Sequence, residues 1–181
     1  EAMEILLKNP VDPHLMKILY APWRIAYIKW FSKKGRECFL CEASREKDDA
    51  RSLIVYRGRS CFVILNKYPY NNGHLMIAPC KHAGKISDLG DDELLELIEL
   101  LKLSIAALEA EYKPDGFNVG LNLGRAAGAG LEEHIHLHVV PRWFGDTNFM
   151  PVLADTKVVP ESLEESWRRL RDRFRSLKPS S

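Results

Sequence analysis

The sequence predicts an α+β fold: five mostly antiparallel strands in one sheet, one long helix packed on it, and extensions at both ends. Three observations carry that prediction. Five short runs alternate or cluster apolar residues in the manner of strands. One run with an acidic start, from Ser87 to about Tyr112, repeats leucine and isoleucine at helical spacing. Hairpin-sized gaps join the first three strands, and also the last two, which favours antiparallel neighbours. With 181 residues, 46% of them hydrophobic, the chain can bury one well-packed domain with some length to spare.

The elements follow in order. Residues 1–35 carry Pro10, Pro13 and Pro22 among Tyr20, Trp23, Tyr27 and Trp30, and read as an arm packed on the domain or on a second subunit. Cys38-Phe39-Leu40-Cys41 comes next, then a charged stretch from Arg45 to Arg51, a solvated loop or short helix. Leu53–Tyr56 and Cys61–Leu65 are strand-like, and the Arg57-Gly58-Arg59-Ser60 between them is a hairpin signal. Asn66 to Gly73 is a structured loop before a third strand, His74–Pro79, where proline ends the ladder for want of an N–H. Leu94, Leu97, Ile98, Leu101, Ile105 and Leu108 form the stripe of the long helix, which Lys113-Pro114-Asp115-Gly116 breaks. Phe117, Val119, Leu121 and Leu123 alternate with Asn118, Gly120 and Asn122, so the fourth strand has a polar face. A glycine- and alanine-rich loop, Gly124 to Gly130, leads into the fifth strand. A last helix starts near Pro160, with Leu163, Trp167, Leu170 and Phe174 on one stripe. Its Arg168, Arg169, Arg171, Arg173 and Arg175 read as a solvated face. The resulting division is an arm over 1–35, a catalytic domain over 36–150 and a C-terminal extension over 151–181.

A net charge of +1 argues against nucleic-acid and membrane partners. No signal-peptide pattern opens the chain, and no stretch approaches the ~18 continuous apolar residues of a membrane span, so a cytoplasmic protein is expected. The cysteines Cys38, Cys41, Cys61 and Cys80 then read as metal ligands or buried thiols rather than disulfides. Cys38-x-x-Cys41 has metal-clip spacing, whereas Cys61 and Cys80 are expected as thiols in the strand core.

The chemistry concentrates in His134-Ile135-His136-Leu137-His138. On an extended strand these three imidazoles share a face, about 7 Å from one to the next, and that is too spread to converge on one ion. His136, flanked on both sides, is best placed to be held in one orientation. The Gly124–Gly130 loop lets backbone N–H groups approach a phosphate closely, and Asn122 points into the same space. A histidine nucleophile beside phosphate donors implies attack at phosphorus through a phospho- or nucleotidyl-histidine.

With Val139-Val140-Pro141 after the triplet, Asn66 eight residues before His74 in Asn-Lys-Tyr-Pro-Tyr-Asn-Asn-Gly-His-Leu, and Lys81-His82 ahead of the helix, the chain resembles the histidine-triad family of nucleotide hydrolases and transferases over about residues 38–145. The resemblance implies that His136 attacks the α-phosphate of a nucleotide and that His138 contacts that phosphate. It implies that the His134 carbonyl orients His136, that His74 stands behind the site and that Asn66 binds ribose. Asn122 matches a phosphate or leaving-group contact, although it lies one residue further from His134 than usual. Gly130 and Leu131 stand where many members carry Gln and then Ser or Thr. The downstream His-Val-Val-Pro-Arg-Trp-Phe-Gly-Asp-Thr-Asn-Phe is similar to a bacterial branch of diadenosine tetraphosphate phosphorylases, whose tryptophan matches Trp143 and can close the site. Members of that branch often carry Ser where Gly130 is, so phosphorolysis and hydrolysis both stay open. The expected substrate is a dinucleoside polyphosphate; a nucleoside phosphoramidase and a nucleotide-binding regulatory protein of low turnover are the alternatives. The resemblance also implies a structural zinc on Cys38, Cys41, His82 and His134, and a homodimer formed through the long helix and a neighbouring strand.

Overall fold

A computed structural model describes residues 38–146 and 160–177. The arm expected over residues 1–35 lies outside the described residues.

Two short helices open the described chain, α1 (Phe39–Arg45) and α2 (Asp49–Ser52). Asp48 starts α2 because its carboxylate accepts the Ala50 and Arg51 N–H groups left without helical partners. Leu53, at φ 62, then turns the chain into the sheet. The sheet comprises β1 (Ile54–Arg57), β2 (Cys61–Leu65), β3 (Leu75–Pro79), β4 (Gly116–Leu121) and β5 (Leu137–Arg142). Their order is β1-β2-β3-β5-β4, and every neighbouring pair is antiparallel.

The alternation of histidines predicts a strand from His134, but the ladder begins at Leu137, opposite Ile77. Continuing that register would bring Ile135 opposite Pro79, which has no N–H to give. The chain uses other partners instead: the Ile135 N–H donates to the Ala83 carbonyl at 2.7 Å, and the Pro79 carbonyl is 2.9 Å from His134 Nε2.

The long helix α3 (Asp91–Tyr112) covers one face of the sheet. It is tied to the β1–β2 hairpin by Glu96, whose buried carboxylate accepts the Arg59 and Ser60 N–H groups at 2.6 and 2.7 Å. Val55, Val63, Leu75, Ile77 and Val139 of the sheet meet Leu97, Leu100 and Leu108 of α3, with Leu170 and Phe174 of the last helix, α4 (Leu163–Leu177). On the opposite face Ile54, Phe62, Ile64, Met76 and Ala78 pack under Leu40 and Cys41 of α1. His138 pairs with Met76 and Gly120, so it lies on this second face, beyond the cover of α1.

The arginine face of α4 is not simply solvated. Arg169 bonds Glu111 and Glu161, Arg171 bonds Asp49, and Arg173 bonds Glu111. These pairs join α4 to α3 and α2, while Trp167 Nε1 donates to the Ile54 carbonyl and the Phe174 ring stacks 5.6 Å from Tyr56. Cys61 is fully buried as expected, but Cys80 is exposed because it lies just past the end of β3. No helix among the described residues is long and apolar enough to cross a membrane.

Candidate active site

His136 is buried, and its Nδ1 lies 2.8 Å from the carbonyl oxygen of His134. A carbonyl can only accept, so the imidazole proton sits on Nδ1 and Nε2 keeps its lone pair. Burial pushes the His136 pKa below the ordinary histidine value, against the bond to the His134 carbonyl, so the ring is neutral at pH 7. His138 is assigned the opposite arrangement by its own neighbours. The Tyr70 N–H donates to His74 Nδ1 at 3.1 Å, and Asn66 Nδ2 approaches the same nitrogen at 3.3 Å. His74 is fully buried; that burial, with the nearby His138 and His136, pushes its pKa down to about 3. Its single proton is therefore on Nε2, which is 3.0 Å from His138 Nδ1. His138 accepts there, and its own N–H is Nε2. The His136 and His138 rings stand edge to face at 4.8 Å. A lone pair and a hydrogen-bond donor are thus set side by side.

A cleft of about 530 Å³ opens beside them, lined among others by Tyr70, Asn118, Asn122, His138 and Arg142. Two of the expected site residues, His138 and Asn122, line it. His136 and His74 stand in ring contact with His138. Asn66 is buried; its carboxamide serves His74 and accepts the Tyr68 N–H, which occupies it inside the loop. Gly130 and Trp143 are partly buried and lie outside the cleft lining.

Behind His136 lies a second cluster. Cys38 Sγ, Cys41 Sγ, His82 and His134 each offer one ligand atom, and these atoms all lie within 4.8 Å of one another. His134 Nδ1 is 3.2 Å from Cys38 Sγ and 3.4 Å from Cys41 Sγ, and His82 Nδ1 is 3.3 Å from Cys41 Sγ. A tetrahedral ion with sulfur and nitrogen ligands separates them by roughly 3.3–3.8 Å. The His134 ring is oriented for such a role: its Nε2–H donates to the Pro79 carbonyl at 2.9 Å, leaving the Nδ1 lone pair to the cluster. These four residues could hold a metal ion.

The comparisons bear on this geometry. A family model described as HIT domain matches residues 47–145. The chain belongs to the HIT-domain family. It is 45% identical over 122 residues to an AP-4-A phosphorylase of Mycobacterium tuberculosis, a match covering 67% of this chain and 63% of that protein. Among solved structures it is similar to a Zn-bound histidine triad family protein from Mycobacterium smegmatis, with a TM-score of 0.62 at 26% identity, over 78% of this chain and 95% of the other. A hypothetical histidine triad nucleotide-binding protein from Sulfolobus tokodaii matches with a TM-score of 0.62 at 28% identity, over 77% of this chain and 93% of the other.

Several residues of this HIT domain's site escape a reading of the sequence. Tyr70 stacks on His74 at 4.9 Å and contributes the N–H that sets its tautomer. Arg142 closes the far end of the cleft, bonded to Asp146 and to Asn118. The proximity of Tyr70 to His74 in the Asn66–His74 loop was the available signal; nothing local marks the Arg142–Asn118 pairing.

Proposed function

We propose that the protein is a nucleotidyl-transfer enzyme acting on a dinucleoside polyphosphate such as diadenosine tetraphosphate. His136 Nε2 attacks the α-phosphorus. The N–P bond forms as the P–O bond to the departing nucleotide breaks, and the Nε2–H of His138 stabilises the phosphoryl oxygens. Water or inorganic phosphate then attacks the same phosphorus, the N–P bond breaks, and AMP or ADP leaves. The observation that carries this reading is the Nδ1–H bond from His136 to the His134 carbonyl, which keeps a neutral, buried imidazole with its lone pair on Nε2. The likeness to a phosphorylase of AP-4-A supports the substrate class. Asn122 is read as a phosphate or leaving-group contact, Gly130 as backbone beside the phosphate and Trp143 as the residue that closes the site. Asn66 is read as reaching the ribose through atoms its carboxamide bonds leave free. With Gly130 offering no side chain, the acceptor is identified by chromatography of the products formed with and without phosphate. His136→Ala is expected to lose several orders of magnitude in turnover; activity within about tenfold of wild type would reject His136 as the nucleophile.

We infer that the metal held by Cys38, Cys41, His82 and His134 is zinc, in keeping with its two-sulfur, two-nitrogen donor set and the Zn-bound relative. Its contribution there is a structural crosslink between α1, the segment after β3 and the residue before the nucleophile. We also place the protein in the cytoplasm, where four free cysteines are stable. A homodimer is supported by the place of β4 at the edge of the sheet among the described residues and by exposed apolar residues, Val119 on that strand and Leu95 and Ile98 on α3. Sedimentation of the protein as a monomer would exclude it.

A further inference from the structure

We propose that Asn71 and Asp146 are positioning residues that set the direction of the hydrogen bonds running from the Tyr70 backbone through His74 to His138. The inference deepens the functional reading above, in which His138 donates to the phosphate, and it concerns why His138 has a proton to donate on that side.

The direction of the relay is set at His74 Nδ1, which both the Tyr70 N–H and Asn66 Nδ2 face. His74 has two ring nitrogens and one proton, and the Tyr70 N–H claims Nδ1 at 3.1 Å. If that peptide turned away, Nδ1 would keep only the longer contact from Asn66 Nδ2, at 3.3 Å, and could more readily take the proton. Nε2 would then become an acceptor facing His138 Nδ1 at 3.0 Å, and His138 would have to protonate Nδ1 to satisfy it. His138 Nε2 would present a lone pair to the substrate, repelling a phosphoryl oxygen instead of binding it. The Tyr70 peptide, the nearer of the two donors, therefore biases the polarity of the site. The Tyr70 ring, half exposed, does not hold that peptide unaided.

The next residue holds it. Asn71 is buried, and its carboxamide donates to Asp146 Oδ2 at 2.6 Å and to the Pro141 carbonyl at 3.1 Å, while its own carbonyl accepts the His74 N–H at 3.2 Å. Asp146 is itself fixed by two bonds from Arg142, 2.6 and 2.8 Å, and by the Trp143 N–H at 3.2 Å. The loop is held from the other side as well. Asn72 Nδ2 donates to Glu161 at 3.2 Å, and Gly73, at φ +72, leaves no room for a side chain, since a Cβ there would lie 3.0 Å from both Leu108 and Tyr112. Three consecutive residues are thus fastened to β5, to the segment leading into α4 and to α3, and the Tyr70 peptide stands just ahead of them.

The test reads the tautomers directly. Long-range ¹H–¹⁵N correlation of the histidine rings, in ligand-free protein at mildly alkaline pH, is expected to show His74 and His138 protonated on Nε2 and His136 on Nδ1. In Asn71→Ala and in Asp146→Ala, His74 and His138 are expected to lose that single arrangement. With diadenosine tetraphosphate as substrate, kcat should fall about tenfold to a hundredfold. Wild-type His138 protonated on Nδ1 would overturn the proposal. So would two folded variants that keep the wild-type tautomers. Failure of the wild type to turn over the substrate would reject the functional reading, while the tautomer arm would still decide this one.

Discussion

The metal tetrad gives a prediction whose size follows from the environment of one thiol. Cys38 is buried, and burial pushes its pKa up to about 11 in the absence of an ion. At pH 7 it is a thiol, yet zinc is bound by the thiolate, so binding must first remove a proton held about four units too tightly. That costs about 5 kcal/mol at pH 7, set against the ~10–16 kcal/mol of a structural zinc. The sign is fixed: each unit rise in pH below about 11 makes the proton easier to remove and tightens binding. The apparent zinc Kd, from competition with a chromophoric chelator between about pH 6 and pH 8, should therefore fall at least tenfold per unit. Zinc added to metal-free protein in weak buffer should release at least one proton per chain. At about a hundred times Kd the ion should also stabilise the fold by about 2.7 kcal/mol, visible as a higher Tm that chelator removes. An affinity flat with pH would refute the argument, as would chelator-free protein holding well under one zinc per chain.

Two further predictions concern stability. Ser104 Oγ is the one buried side-chain polar atom among the described residues with no hydrogen-bond partner, so Ser104→Ala should be neutral or stabilising by up to about 1 kcal/mol in urea titration; a loss beyond that would show that the hydroxyl is satisfied in solution. Asp146 is held well below the usual carboxylate range chiefly by the hydrogen bond from Arg142. At Asp49, Glu111 and Glu161 burial acts upward but is outweighed by hydrogen bonds, from arginines at the first two and from Ser166, Tyr112 and Arg169 at the third. These four contribute stability above their unfolded pKa values near 4 that is lost as pH falls through the lower folded ones, and His74, held neutral down to about pH 3, adds a loss that begins below about pH 6.5 as the unfolded histidine takes up its proton, so Tm should decline from about pH 6.5 and drop most steeply below about pH 4.

What the sequence makes legible, and what it conceals, divides along local and distant partners. The α3 periodicity, the five strands and the Cys-x-x-Cys pair are local patterns, and each appears in the fold, although Ile98 of the expected stripe is exposed. The start of β5 is not local: the alternation runs unbroken back to His134, and only the position of Pro79 on the neighbouring strand stops the ladder. The arginines of α4 look solvated because their partners are remote, Glu111 at 58 residues from Arg169 and Asp49 at 122 from Arg171. Asn71 reads as one more polar loop residue, since Asp146 is 75 positions away. Residue types announce which chemistry is present, whereas the groups that orient it come from parts of the chain that no spacing connects.

The division of labour within the histidine triplet illustrates the point energetically. His136 and His138 are the same side chain two positions apart, yet one presents a lone pair and the other a proton. The difference lies wholly in what stands behind each ring: a carbonyl at 2.8 Å behind His136, and an imidazole N–H at 3.0 Å behind His138. Reversing either tautomer leaves a buried donor or acceptor facing its like, a cost of ~1–3 kcal/mol, which makes the wrong form roughly 5- to 150-fold rarer. Two such preferences cooperate, because the attack at phosphorus we propose needs both rings correct at once. His134 then has a reason to be a histidine although it faces away from the cleft. Its ring joins Pro79 to the thiols of Cys38 and Cys41, and its carbonyl holds the proton of His136. Loss of the ring's anchorage would be felt at His136 through a single peptide unit.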